Sequence, residues 1–204
     1  FYTDSGELAA AASSWGVAHP TGYPLFTLIA HVWSLLPWPS TIYGLNILAA
    51  VIMAGAASAF ALVCRGLIVT SLPPFSKNVL GSWLIADAAA LTTAFAAVTW
   101  AQATTIEVYS LHALLFLITL HFTLTPSKTN TVVAGFFFGL MLANHLSSVF
   151  LIPGLLHIWW WRSSESGEAK TESGRRKTES KESKESKESA SPCAFHSPLS
   201  VLSL

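Results

Sequence analysis

Charge is distributed along this 204-residue chain in a way that leaves few folds open. Residues 1–161 carry seven charged side chains, Asp4, Glu7, Arg65, Lys77, Asp87, Glu107 and Lys128, and the remaining fifteen crowd into 162–204. Long runs of Ala, Leu, Val and Phe between such rare charges have the pattern of segments that cross a bilayer. The fold class expected is an all-α, polytopic membrane protein with a disordered C-terminal tail. The Lys/Glu/Ser-rich tail repeats KES over 181–189 and is too polar to bury a core. The body has no basic patch, which excludes nucleic acid as a partner. Cys64 and Cys193 are too few and too far apart for a disulfide framework or metal cluster, so no metal is expected. The chain begins at Phe1 with no basic segment ahead of an apolar run, so no signal peptide is visible and the chain reads as a fragment.

Five apolar segments are expected over about 42–64, 79–100, 106–125, 131–150 and, as a partial span, 151–161. The last two form one run of 31 residues. That is about 46 Å of helix against a hydrocarbon core of about 30 Å, so a break is expected, near Pro153-Gly154. Arg65, Lys77 and Lys128 place their loops in the cytosol by the positive-inside rule, which puts 1–41 and 100–111 together on the lumenal face. Within 1–41, Leu25 to Leu36 is too short to span and reads as an interfacial helix, with Trp33, Trp38 and Tyr43 as an aromatic belt. Gly55 and Ser58 permit close helix packing in the first span, where Asn46 is the one strongly polar residue. Asp87 reads as a packing residue.

The polar run 4–26 is where chemistry is expected. Asp4 and Glu7 stand one helical turn apart, on one face of a helix that Thr3 could cap and Gly16 would end. The bland account makes them acids complementing a helix dipole. Behind them His19, Pro20, Gly22, Tyr23 and Pro24 form a knuckle whose prolines and glycines fix a rigid turn. Glu107 is the only charge of the connection 100–111 and is expected to open the third span. Asn144 and His145 form a costly polar pair inside an apolar run.

Four pieces, DSGE and GVAHPTGYPLF within 4–26, WAQATTIEVYSL at 100–111 and GLMLANHL at 139–146, carry a resemblance. Over about 1–161 the chain resembles the N-terminal part of the transmembrane protein O-mannosyltransferases of GT-C fold, the family acting on IPT domains of plexin-type receptors. The resemblance implies a partial GT-C-like helical bundle, with 1–41 as a lumenal catalytic-type loop and 42–161 as the transmembrane region. It implies residence in the endoplasmic reticulum membrane, as a multi-pass protein in contact with lipid. The reaction implied is inverting transfer of mannose from dolichyl phosphate mannose, a substrate and not a cofactor, to Ser or Thr hydroxyls of acceptor domains in the lumen. Asp4 then takes the place of the base, with Glu7 beside it as the second catalytic residue. Glu107, His19, Tyr23, Asn144 and His145 are implied to bind the sugar, the phosphate or the acceptor. The competing expectation is a catalytically inactive truncated isoform acting as a non-enzymatic membrane protein, since the KES tail stands where further spans would follow.

Overall fold

The computed structural model describes residues 3–20, 22–72, 74, 77–125 and 127–161, with 164, 171–172, 174–176 and 178–179 in the tail. Two compact units result, Phe1–Arg162 and Ser163–Leu204. The first is helical: α1 Thr3–Ser14, α2 Pro24–Ser34, α3 Thr41–Ser71, α4 Val79–Ala94, α5 Ala97–Ala103, α6 Tyr109–Leu124 and α7 Lys128–Asn144. A 3-10 turn, Leu146–Leu151, then runs into α8 over 152–161.

α3 is the scaffold. It begins at Ser40, whose side chain accepts the Tyr43 N–H at 3.2 Å, and it packs against α4 on one side and α6 on the other. Leu114 of α6 lies in ordinary contact with the bare Gly55 position, the close approach that a small residue permits. At 31 residues α3 is the one helix, among the described residues, long and apolar enough to cross a membrane by itself. It outruns the expected 42–64 span and carries Arg65 inside, the guanidinium lying 4.5 Å from the centre of the Trp83 ring. α4 and α5, expected as one span over 79–100, are bent by 71° at Phe95–Ala96. Thr92 and Thr93 just before the bend donate to the carbonyls of Ala88 and Ala89, a back-bonding that bends helices. α6 and α7 hold 16 and 17 residues, short of the expected spans 106–125 and 131–150.

Two further expectations are corrected. The break in the last apolar run falls at His145, extended at φ −153° and ψ 121°, and not at Pro153-Gly154. Pro153 instead occupies the first turn of α8, where a missing N–H leaves no hydrogen bond unmade. Asp87 does not pack: it is exposed and makes no hydrogen bond or ion pair among the described residues. The indoles of Trp33 and Trp38 stack at 5.3 Å and donate to the carbonyls of Gly44 and Trp33, which locks the α2–α3 corner. The Trp38 ring covers Gly44 so closely that no side chain fits there.

Within 1–41, α1 and α2 pack into the body of the first unit. Leu8 and Ala12 of α1 and Phe26 and Ala30 of α2 share one core with Leu45, Ile106, Leu111 and Met141. In the tail, expected to be disordered, the described residues are helical, with Glu172–Arg176 and Arg175–Glu179 pairs one turn apart. The KES repeat lies outside the described residues.

Candidate functional site

The knuckle between α1 and α2 is built from three left-handed residues, Trp15 (φ 56°), Gly22 (φ 85°) and Tyr23 (φ 40°). α1 ends at Ser14, the left-handed Trp15 follows it, and the N–H of Gly16, the residue expected to end the helix, reaches back to the Ala11 carbonyl at 2.8 Å as in a Schellman cap. His31 pins the two helices by its 2.7 Å hydrogen bond to the Ala12 carbonyl, with the Trp15 ring 4.2 Å away. Gly22 N–H closes the turn onto the His19 carbonyl at 2.8 Å, and Tyr23 leads into Pro24 at the start of α2.

Across this turn Glu7 reaches His19. One carboxylate oxygen accepts the His19 backbone N–H at 2.6 Å and the other meets Nδ1 at 3.2 Å. A carboxylate only accepts, so the ring proton belongs on Nδ1, and Nε2 is left to accept from the Tyr23 hydroxyl at 3.3 Å. Both oxygens of Glu7 are therefore engaged. Asp4, one turn earlier, is exposed and makes no hydrogen bond or ion pair among the described residues.

Glu107 precedes α6 and does not open it. As a residue it is nearly buried, at 9% exposure, and the carbonyls on either side of it are held: Ile106 accepts from Ser5 Oγ at 3.1 Å and Val108 from Asn144 Nδ2 at 3.2 Å. Burial first, and then the negative charge of Asp4, push the Glu107 carboxyl above the ordinary carboxylate range, while His19 pulls it the other way. The Tyr23 hydroxyl is pushed up as well, by burial and then by Tyr109, Asp4, Glu107 and Glu7. Tyr23 thus lies within electrostatic reach of Asp4, Glu7 and Glu107, and Glu107 within reach of Asp4 and His19.

His145 joins them through its ring, 5.6 Å from Tyr23, 6.3 Å from Tyr109 and 5.8 Å from His112. Its Nδ1 accepts from the Ser147 N–H at 3.2 Å, which places the ring proton on Nε2. Asn144 differs from its expected role at the substrate: it is 1% exposed, and its amide holds Val108 instead. Sequence reasoning passed over Ser5, Tyr109 and His112. Ser5 stands inside DSGE, and Tyr109 and His112 are three apart on one helical face, so spacing could have found both. Among the described residues no three His, Cys, Asp or Glu side chains converge as metal ligands.

The arrangement offers one uncommitted carboxylate, one buried carboxyl beside it, and a carboxylate–imidazole–phenol chain next to a second imidazole. Such a set can take a proton from a hydroxyl and hold a hydroxylated or phosphorylated ligand in place.

Comparison with known proteins now bears on this set. Residues 4–168 match the family model described as the protein O-mannosyl-transferase TMEM260 N-terminal domain. The mouse (Mus musculus) protein O-mannosyl-transferase TMEM260 is 36% identical over 158 residues, which cover 73% of this chain and 21% of that protein. The chain thus spans about a fifth of the length of the relative it matches. No solved structure matches the chain.

Proposed function

The chain belongs to the protein O-mannosyl-transferase TMEM260 family, and we propose that it carries the acid-bearing part of an enzyme that mannosylates protein hydroxyls. The reaction proposed moves mannose from dolichyl phosphate mannose to a Ser or Thr hydroxyl of receptor ectodomains of the plexin type, in the lumen of the endoplasmic reticulum. The observation that carries this reading is the division of labour on α1, where Glu7 is tied to His19 and Asp4 stands exposed and unpaired beside Glu107.

A Ser or Thr hydroxyl is a weak nucleophile at neutral pH, and its attack needs a proton acceptor. The hydroxyl oxygen bonds to the anomeric carbon as its proton passes to the Asp4 carboxylate. The bond from that carbon to the phosphate oxygen breaks, and dolichyl phosphate leaves with the electron pair. The anion is stable, so one carboxylate suffices and no second acid is needed to protonate the leaving group. Glu107 orients a sugar or acceptor hydroxyl. The proton on Nε2 of His145 serves the donor phosphate or the sugar. Glu7 acts through His19, which it orients, and Asn144 acts through the Glu107 loop. α3 supplies a membrane crossing that keeps these groups at one surface of a multi-pass protein.

The test is transfer of labelled mannose from dolichyl phosphate mannose to an acceptor domain by the longer protein that contains this segment. Transfer lost on Asp4→Asn at matched expression supports the reading, and turnover near that of the unaltered enzyme contradicts it. The same assay on residues 1–204 alone separates an active piece from the non-enzymatic isoform.

A further inference from the structure

Next to the acids in the chain, a cavity of about 260 Å³ opens between the start of α1, the start of α3 and the loop before α6. Ser5, Gly6, Asn46, Thr104 and Thr105 line it. Asn46 is the lone strongly polar residue of the apolar part of α3, half-buried, and its side-chain amide makes no hydrogen bond among the described residues. An amide held in such a helix costs free energy unless something satisfies it.

The hydroxyls around it are differently placed. Ser5 Oγ donates to the Ile106 carbonyl at 3.1 Å, Thr104 Oγ1 to Trp100 at 3.1 Å and Thr105 Oγ1 to Ala101 at 2.7 Å. With their protons committed to main-chain carbonyls, these three oxygens offer only lone pairs to the cavity. Asn46 adds one acceptor and one NH₂ group. The lining holds no charged side chain, and Ile42 and Ile106 make much of its wall apolar, so it suits a neutral ligand that brings a few N–H or O–H donors and disfavours a phosphate.

We propose that this cavity is the acceptor subsite, where Asn46 grips a main-chain amide of the peptide segment that bears the reacting Ser or Thr. The proposal rests on the reading of the chain as part of a mannosyltransferase. Ser5 and Ile106 line the cavity, and their chain neighbours Asp4 and Glu107 act electrostatically on Tyr23 at the imidazole–phenol cluster. The acids therefore stand at the seam between a neutral, acceptor-lined cavity and a cluster with ring N–H donors. Inversion requires the hydroxyl to approach the anomeric carbon from the side opposite the departing phosphate. The acceptor peptide belongs in the neutral cavity and the phosphate at the cluster.

Two variants of the longer enzyme test this, Asn46→Leu, which removes the amide from an otherwise apolar helix, and Gly6→Leu, which fills the cavity from a position with open space beside it. The probe is an uncharged synthetic peptide with a single Thr. In both variants its KM should rise about three- to tenfold, the weight of one neutral hydrogen bond, with the KM for dolichyl phosphate mannose unchanged. A donor KM that rises instead, or a peptide KM unmoved in both variants, overturns the proposal. If the unaltered enzyme transfers no mannose, the catalytic reading fails separately. The cavity is then judged by anisotropy of the labelled peptide on the 1–204 chain in detergent. Binding weakened to the same degree in both variants supports the subsite, while equal binding, or none to the unaltered chain, overturns it.

Discussion

Two interruptions bring the candidate site together, and they are made by opposite means. The knuckle after α1 is local: three left-handed residues, a Pro-led helix start and a Glu7–His19 contact twelve residues apart produce it. The α7–α8 junction at His145 has neither glycine nor proline. The buried Ser148 bonds locally to the carbonyls of Met141 and His145, and the distant hold is that of Asn144 on the Val108 carbonyl 36 residues away. The first break depends on backbone preferences that any short stretch displays. The second depends on a partner that only the folded chain supplies.

This contrast sets the order of expected losses. Gly22→Val should cost about 1–2 kcal/mol through its φ of 85° alone, because a Cβ there meets only Val17, in ordinary contact. Asn144→Leu keeps the size of the side chain and removes one of the two donors to the buried Val108 carbonyl, which keeps the His112 N–H at 3.1 Å; the loss should be about 0.5–1.5 kcal/mol and lower the thermal midpoint in detergent. Glu7→Gln should cost least, under about 1 kcal/mol, since the Glu7–His19 contact is half-exposed and Gln can still accept the His19 N–H. A Glu7→Gln loss larger than that of Asn144→Leu would reverse the comparison and make the knuckle the stronger support.

Glu107 sharpens the distant half through pH. Its folded carboxyl binds its proton more tightly than in the unfolded chain. Stability should therefore fall as pH rises from the unfolded carboxylate value, about 4.3, up through the raised folded value. Glu107→Gln should remove that decline in a series of unfolding curves, and an unchanged slope would show that the buried acid does not set it.

The same contrast explains how much could be read from sequence. HPTGYP announces a turn because proline and glycine restrict φ wherever they stand, and the residues of DSGE, EVY and NHL do meet in the fold. What each touches was not legible. The break at His145 was assigned to Pro153-Gly154 because ANHL reads as continuous helix until Val108 is known to lie beside it. Asn144 drew attention as a costly polar residue, and the fold meets half of that cost: Nδ2 donates to a main-chain carbonyl, while Oδ1 is buried with no partner among the described residues. Trp33 and Trp38 carry the composition of a membrane belt, and only the approach of Gly44 shows that their indoles close a corner.

The central claim is that Asp4 and Glu7, one turn apart on one helix, have different work, the first as base and the second as the holder of His19. Mannose transfer measured with Asp4→Asn and Glu7→Gln in the longer enzyme, at equal expression and with donor and acceptor saturating, tests it directly. Asp4→Asn should lower kcat on the order of 10²–10⁴, the loss of a general base, while Glu7→Gln retains most of the turnover and raises the donor KM. A Glu7→Gln enzyme as inactive as Asp4→Asn would remove the distinction, and an Asp4→Asn enzyme with ordinary turnover would contradict the account.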